Sequence, residues 1–580
     1  MYILGLSFGY HDSSAALVYN GEIIFASQEE RFSRIKNDKN FPSQSINEAL
    51  KFENITIKDI DYVVYYECPL DKFNRISKSI SKNIFSNFKK GLIEFYNETY
   101  DWINYDKFDY KKIIYEKLNI HFNKIKNCYH HISHASSAFY NSNFLSASIL
   151  TIDGVGENET VTYSYGENNK INKIKSFYFP NSLGLFYSTI TAFLGFEVNE
   201  GEYKVMGMAA YGKPKYVKKI KKIISFSNKK LKLNKKYFNF DDINNPPFSS
   251  SFVEIFGSPR DPDNEFNKNP ASKEFIYYSD LASSFQFVLE EIVLEMIDEL
   301  FAITSNKNLC FSGGVALNAV LNGKILKYKT QNLYVFPAAG DSGTAVGAAQ
   351  YFYFSELNNN RKINRPNILL GKKYNDDEIS NALEKFNIKK FKTYESFKEM
   401  TPELSSILLE EKVIGFFQGR SEFGPRALGS RSIIANPSSI KMRDIINEKI
   451  KFREIFRPFA PIVLAEFASK YFEIDQINDT YQPENFMISV SNVHKNKSNL
   501  FPSAISIDNS ARVQIVWKND HNNLRIMLEE FYKKSGLPIL INTSFNRKGE
   551  PIVETPEDAI KVFLYTDLDY LIINNFIIKK

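Results

Sequence analysis

The chain of 580 residues carries 43% hydrophobic and 24% charged side chains, an ordinary globular balance on a length too great for one hydrophobic core. Its net charge of +6 is small and gives no sign of a nucleic-acid-binding surface. Three widely spaced cysteines, Cys68, Cys128 and Cys310, exclude a disulfide framework or a cysteine zinc site. The amino terminus has neither a basic n-region nor a long apolar run, and no stretch of about 18 apolar residues occurs, so a cytoplasmic setting is expected.

In chain order, residues 2–8, 14–19 and 22–28 are predicted strands, and Asn20-Gly21 is a strong hairpin signal. The triplet returns at 147–153, 160–165 and 171–178. A polar, glycine-bearing loop joins the first two strands of each copy: Gly9-Tyr10-His11-Asp12-Ser13-Ser14 and Asp153-Gly154-Val155-Gly156-Glu157. The duplication resembles the layout of actin/hexokinase/Hsp70-type ATPases, where two such loops face one nucleotide. Residues 309–318 run as a strand into Gly313-Gly314 and a helix, and 333–350 repeat that unit. Backbone N–H groups at such junctions bind anions.

A Lys/Asn-rich insertion at 213–245 and an amphipathic helix at 278–304 lie between these motifs. A composition shift near residue 357 predicts two units, 1–357 and 368–580. In the second, helices are expected at 377–387, 440–450, 522–534 and 556–564, and strands at 412–417, 459–465, 537–541 and 569–574. That alternation is α/β or α+β, and the polar stretch 476–500 is expected to be a mobile loop.

Chemistry concentrates in the stretch Gln418 to Pro461, where Arg420, Arg426, Arg431, Arg443, Arg453 and Arg457 stand with Lys449 and Lys451. Guanidinium forks fit phosphate and carboxylate oxygens, and the glycines among them allow close backbone approach. A pocket for a small phosphate-bearing ligand is expected, with Arg512, Asn542 and Ser544 as further lining. In the first half, a helix at 131–140 would put His130 and His134 one turn apart, a spacing that suits one metal ion or, equally, a histidine-capped helix start. Asp153 and Asp341, each ending a predicted strand, favour a mixed nitrogen and oxygen site for Fe, Mn or Zn. His11-Asp12 suits either a general-base pair or a turn, and Glu202 and Lys204 suit either a mutual bridge or a ligand.

The motifs GYHDSSA, HHISHASSA, TIDGVGE, GEYKVMGMAAYG, FSGGVALN, PAAGDSGTA, FGPRALGSRSI, KFREIFRPFAP, ARVQ and NTSFN run in order along nearly the whole chain. In this set the chain closely resembles the NodU/CmcH-type O-carbamoyltransferases, the family that includes the tobramycin carbamoyltransferase. The resemblance implies an amino-terminal Kae1-like domain of actin-like fold and a carboxy-terminal YrdC-like domain. It implies that carbamoyl phosphate and ATP, with Mg2+, give carbamoyl-adenylate in the second domain, and that an acceptor hydroxyl displaces AMP in the first. Iron or another divalent metal would be held by His130, His134, Asp153 and Asp341.

Carbamoyl phosphate would meet Arg426, Arg431, Lys451, Arg453, Arg457, Arg512, Asn542 and Ser544. Nucleotide would meet Asp153, Gly154, Gly313, Gly314, Asn318 and Asp341, and His11, Asp12, Lys204 and Arg457 would serve catalysis. Segments 68–127 and 213–275 would set acceptor choice. The expected partner is a small-molecule hydroxyl acceptor, with neither nucleic acid nor membrane, and a homodimer is left open. Two other readings stand beside this one: tRNA threonylcarbamoyladenosine-type chemistry and a non-catalytic scaffold.

Overall fold

Alternating hydrophobic patterning produces the strands, whose β-branched and aromatic side chains fill the buried faces. The computed structural model describes residues 1–86, 109–240, 245–262, 269–363, 367–451, 453–454, 456–475, 482–519 and 522–580. β1 (Tyr2–Ser7), β2 (Ser14–Tyr19) and β3 (Glu22–Gln28) form an antiparallel meander. β4 (Tyr62–Tyr65) and β5 (Ile125–Asn127) extend it in parallel beyond β1, giving the order β3-β2-β1-β4-β5. β6 (Ser146–Ile152), β7 (Glu159–Glu167) and β8 (Lys170–Tyr178) form the second meander. The lysine-rich insertion contributes a separate hairpin, β9 (Ile224–Ser227) with β10 (Lys230–Leu233). β11 (Leu309–Ser312) and β12 (Leu333–Val335) then complete the order β12-β11-β6-β7-β8. The two sheets share one topology, so the expected duplication is present. Asn20 and Gly21 take φ of 49° and 87°, as a tight two-residue turn requires.

Two buried helices fill the space between the sheets. His130–Phe139 packs on the second sheet, Thr344–Tyr351 packs on the first, and the two helices touch each other. Their small residues allow this. A Cβ at Gly347 would lie 1.8 Å from Ser133 O, and one at Gly5 would lie 1.9 Å from Ala345 O. The long helix runs Lys273–Thr304 and starts earlier than its hydrophobic pattern, because the Ser272 side chain accepts the Phe275 N–H as an N-cap.

The carboxy-terminal half is an eight-stranded mixed sheet with its own core. Its strands are β13 (Phe391–Thr393), β14 (Ile414–Phe417), β15 (Arg431–Ala435), β16 (Ala460–Leu464), β19 (Gln514–Val516), β20 (Ile539–Ser544), β21 (Tyr570–Ile573) and β22 (Phe576–Lys579). They lie in the order β13-β22-β21-β14-β15-β20-β16-β19, and a small ribbon of β17 (Ser491–Asn492) and β18 (Ser510–Ala511) sits apart. The helix expected at 440–450 is one α-turn, Lys441–Asp444, passing into a wider π-turn, Ile445–Lys451.

The expected mobile loop is instead a strap in its described part. Asn322 Nδ2 donates to Ile488 O at 2.7 Å, Val490 N–H donates to Ala319 O at 3.1 Å, and Phe486, Met487 and Ile488 join the amino-terminal core. This apolar cluster inside a polar stretch explains the difference. Residues 476–481 of that stretch lie outside the described residues, as do 87–108, 241–244 and 263–268 of the segments expected to set acceptor choice. Further contacts join the halves: Arg34 donates to Ile552 O at 2.7 Å and to Pro551 O at 2.8 Å, and Arg31 donates to Gly424 O at 2.9 Å. Among the described residues no helix is long and apolar enough to cross a membrane.

Candidate active site

The histidine helix begins at His130, whose N–H donates to the buried Glu157 carboxylate at 2.9 Å in place of an N-cap side chain. One turn separates His130 from His134, so both imidazoles share a face. Their Nε2 atoms are 3.1 Å apart. His130 Nε2 is 3.0 Å from Asp153 Oδ2, and His134 Nε2 is 3.5 Å from Asp341 Oδ1. All four donors lie within 4.8 Å of one another. Two imidazole nitrogens this close, ringed by carboxylates, have the composition and spacing of ligands on one divalent cation, and the donor set suits Fe, Mn or Zn. Burial alone would lower the His134 pKa, but Asp153 and Asp341 raise it to about 9. Burial pushes both carboxyls up, yet the surrounding histidines outweigh it and hold both below the usual carboxylate range. His131 faces Thr162 Oγ1 at 3.2 Å, and burial keeps it neutral.

His11 reaches this group from the first glycine loop. Its Nδ1 lies 2.9 Å from Asp12 Oδ2 and its Nε2 lies 3.5 Å from Asp341 Oδ2. Burial would lower its pKa, but Asp341 and Asp12 raise it to about 9. Asp12 takes φ of 53°, so the loop bends sharply at the residue that orients the ring. Among the residues expected to meet nucleotide, Asp153, Gly314 and Asp341 come together here. The Gly314 N–H donates to Asp153 Oδ1 at 2.9 Å, and Gly313 takes φ of 87° where a Cβ would lie 2.2 Å from Ile152 O. Gly154 adjoins Asp153, and its carbonyl accepts from Ser182 Oγ at 2.6 Å. Asn318 is engaged elsewhere, capping Leu321 N–H at 3.1 Å and bonding Gln286 Nε2 at 3.1 Å.

The arginine-rich stretch divides in two. Arg420 donates to Gly371 O and Ile24 O at 2.9 and 2.8 Å, Arg443 donates to Pro502 O and Ile505 O at 2.7 and 2.6 Å, and fully buried Arg431 donates to four backbone carbonyls. These three hold backbone in place. Arg431, expected in the anion pocket, lies instead 3.9 Å from buried Glu554 with its fork over the Phe417 ring. Glu422 shapes the loop before it by accepting from the N–H groups of Leu428, Ser430 and Arg431.

Arg426, Arg453, Arg457 and Arg512 are the arginines that gather. Burial lowers the pKa of Arg426 to about 10, and burial followed by mutual repulsion lowers those of Arg453 and Arg512. Arg453 Nη2 and Arg512 Nε are buried without a partner. Among the described residues, Glu454 is the one carboxylate paired into this cluster, 3.3 Å from Arg457 Nη1. Lys204, from the amino-terminal half, reaches Glu454 Oε1 at 3.2 Å and so lies at the domain junction. Beside it the Tyr203 ring sits 4.7 Å from the Arg457 guanidinium carbon. Lys451 Nζ is saturated by Ser544 and Asn546 oxygens, which makes it and Ser544 part of the pocket wall. Asn542 donates to Ala427 O and Gln514 Oε1 at 3.0 and 2.7 Å, next in sequence to Arg426 and close to Arg512. Glu454 and Tyr203 were not singled out from sequence. The signal was a lone acid within KFREIFRP and an aromatic between Glu202 and Lys204.

Comparison with known proteins places these features in a lineage. A Synechocystis protein, sll1178, is 38% identical over 617 residues, covering 100% of this chain and 97% of its own. The nodulation protein NolNO of Sinorhizobium fredii is 34% identical, covering 98% of this chain and 79% of its own, and NolO of Bradyrhizobium diazoefficiens is 35% identical, covering 78% of each. One solved structure, component A of the Acidaminococcus fermentans (R)-2-hydroxyglutaryl-CoA dehydratase, is 15% identical, covers 61% of this chain and 98% of its own, and has a TM-score of 0.32, too loose a likeness to bear on the fold. The family profile described as carbamoyltransferase N-terminus matches residues 2–350, and the one described as carbamoyltransferase C-terminus matches residues 405–580. With both profiles matched in order across two structural halves, the chain belongs to the carbamoyltransferase family.

Proposed function

We propose that this carbamoyltransferase is an ATP-dependent O-carbamoyltransferase. It takes the carbamoyl group of carbamoyl phosphate, through carbamoyl-adenylate, to a hydroxyl of a sugar or other small molecule. The observation that carries this reading is the arginine pocket, four gathered guanidiniums with one paired carboxylate, Glu454 on Arg457, among the described residues, which calls for a small multiply charged anion. In this reading residues 368–580 form a YrdC-like adenylating domain and residues 1–357 a Kae1-like transfer domain. Atom balance requires one water: carbamoyl phosphate, ATP and water give carbamoyl-adenylate, phosphate and pyrophosphate. Arg426, Arg453, Arg457 and Arg512 bind the phosphate oxygens and offset the charge that develops as pyrophosphate leaves. Adenylation matters because AMP is a far better leaving group than the oxygen of free carbamate.

In the transfer half, His130, His134, Asp153 and Asp341 would hold a divalent ion, iron being the family expectation, which would supply Lewis-acid polarisation. His11, oriented by Asp12, is the base of this reading: a divalent ion held by Asp153 and Asp341 would offset the carboxylate charge that raises its pKa. The ring, then neutral, takes the proton of the acceptor hydroxyl as its oxygen attacks the carbamoyl carbon. AMP then leaves. The test is pyrophosphate release from ATP in the presence and absence of carbamoyl phosphate, in wild type and in Arg457→Ala. Release that depends on carbamoyl phosphate and falls at least a hundredfold in the variant is the expected result. Normal release by the variant would remove Arg457 from the reaction. Mass spectrometry of hydroxyl compounds incubated with enzyme, ATP and carbamoyl phosphate identifies the acceptor by its added carbamoyl mass.

A further inference from the structure

A carboxylate in a pocket built to gather anions works against the pocket's purpose, and Glu454 is such a carboxylate. It is nearly buried, with a side chain 10% exposed. Its two oxygens point to different halves of the molecule: Oε1 lies 3.2 Å from Lys204 Nζ of the amino-terminal half, and Oε2 lies 3.3 Å from Arg457 Nη1 of its own. Lys204 follows Tyr203, whose ring stacks against the Arg457 guanidinium at 4.7 Å. Arg457 is thereby fixed on one side by a charge and on the other by an aromatic face, and both contacts lead to the short helix Glu202–Ala209. At the start of that helix, Glu202 accepts from Ser188 Oγ at 3.2 Å and feels the charge of His11. One turn of backbone therefore has a side chain toward each candidate site.

We propose that Glu454 is the positioning residue of the arginine pocket: a built-in counter-ion that aims Arg457 and ties the pocket, through Lys204, to the amino-terminal half. The proposal rests on the adenylation reading above. Burial would raise the Glu454 pKa, but Arg457 and Lys204 bring it down to about 2, so the group is ionised at every working pH. Two opposed effects follow. The negative charge repels an incoming phosphate and weakens binding, while the fixed geometry of Arg457 favours the transition state over the ground state. A neutral residue of the same shape should bind phosphate more tightly and turn over more slowly. Loss of a purely structural contact would not produce that combination.

The experiment uses the full chain carrying Glu454→Gln, Glu454→Asp and Lys204→Gln, each checked by thermal unfolding. Isothermal titration with inorganic phosphate reads the counter-ion effect, and carbamoyl-phosphate-dependent pyrophosphate release reads the positioning effect. Glu454→Gln is expected to bind phosphate about tenfold more tightly, with kcat at least tenfold lower and KM for carbamoyl phosphate unchanged or reduced. Glu454→Asp restores part of kcat. Lys204→Gln, which leaves the carboxylate in the pocket, lowers kcat with less than a threefold change in phosphate affinity, and it carries the test if Glu454→Gln does not fold. Unchanged kcat in Glu454→Gln, or phosphate affinity unchanged or weakened, overturns the proposal. Absence of carbamoyl-phosphate-dependent release from wild type strikes instead at the adenylation reading, and tighter phosphate binding by Glu454→Gln would then keep the counter-ion role standing.

Discussion

Arg426→Met should make the unliganded protein more stable and the phosphate-bound protein less so. Methionine keeps the unbranched stem of arginine and removes a charge that no carboxylate among the described residues pairs. Burial brings the Arg426 pKa down to about 10, and charge repulsion from Arg457 adds to it. At pH 7 the residue is protonated both folded and unfolded, so the fold carries the full cost of the charged form, about 3 kcal/mol at roughly 1.4 kcal/mol per tenfold. That cost shrinks only above pH 10. For a domain of about 200 residues, each kcal/mol moves Tm by roughly 2–4 °C, which sets an upper bound of about 12 °C for the gain. Phosphate at 100 times its Kd should stabilise wild type by about 2.7 kcal/mol and the variant by much less. Thermal unfolding with and without inorganic phosphate measures both effects. A variant that melts below wild type without phosphate and keeps the full phosphate shift would refute the claim that this guanidinium awaits an anion.

Three further outcomes follow from other parts of the molecule. His130→Ala is expected to lose bound metal, read by elemental analysis of purified protein, while carbamoyl-phosphate-dependent pyrophosphate release survives; unchanged metal content would reject the ligand assignment. Glu554 is buried beside Arg431, and burial raises its carboxyl to about 7 against the pull of Arg431 and Arg31. Its folded-state pKa lies above the unfolded one, so its contribution to stability is fully present below about pH 4.5 and is lost as pH rises through 7. Glu554→Gln should flatten the pH dependence of urea unfolding across that window, and an identical pH profile would contradict the assignment. Gly347→Ala places a methyl group 1.8 Å from Ser133 O, so the histidine helix must shift; stability should fall by about 1–3 kcal/mol or more, the usual cost of overpacking, with metal retention falling in parallel.

Much of the amino-terminal fold was legible because its strands are long, alternating and bounded by strong turn residues such as Asn20-Gly21. β4 and β5, with four and three residues, are too short to show a period, and only their parallel pairing reveals them, whereas the equally short β12 was legible from the glycine loop that follows it. The convergence of His130, His134, Asp153 and Asp341 was readable because each sits at a helix start or strand end whose position the pattern fixes. The roles of the arginines were not. Arg420 and Arg431 look in sequence like Arg426, yet their targets are carbonyls at Ile24, Gly371 and Lys372, far away along the chain. A residue type states what a side chain can bind, and only the folded backbone states what reaches it first. The mixed sheet of the second half was likewise half visible, since β15 lies inside the arginine stretch where charge and glycine mask its alternation.

The candidate ligand group of the amino-terminal half is drawn from both copies of the repeat. His130 and His134 come from the helix that closes the first copy, Asp153 directly follows the first strand of the second, and Asp341 precedes that copy's closing helix. Neither copy owns a complete set. A polypeptide severed between Phe139 and Ser146 would leave each fragment with two of the four donors, and ion retention by the mixed fragments would report whether the severed lobes had found each other again.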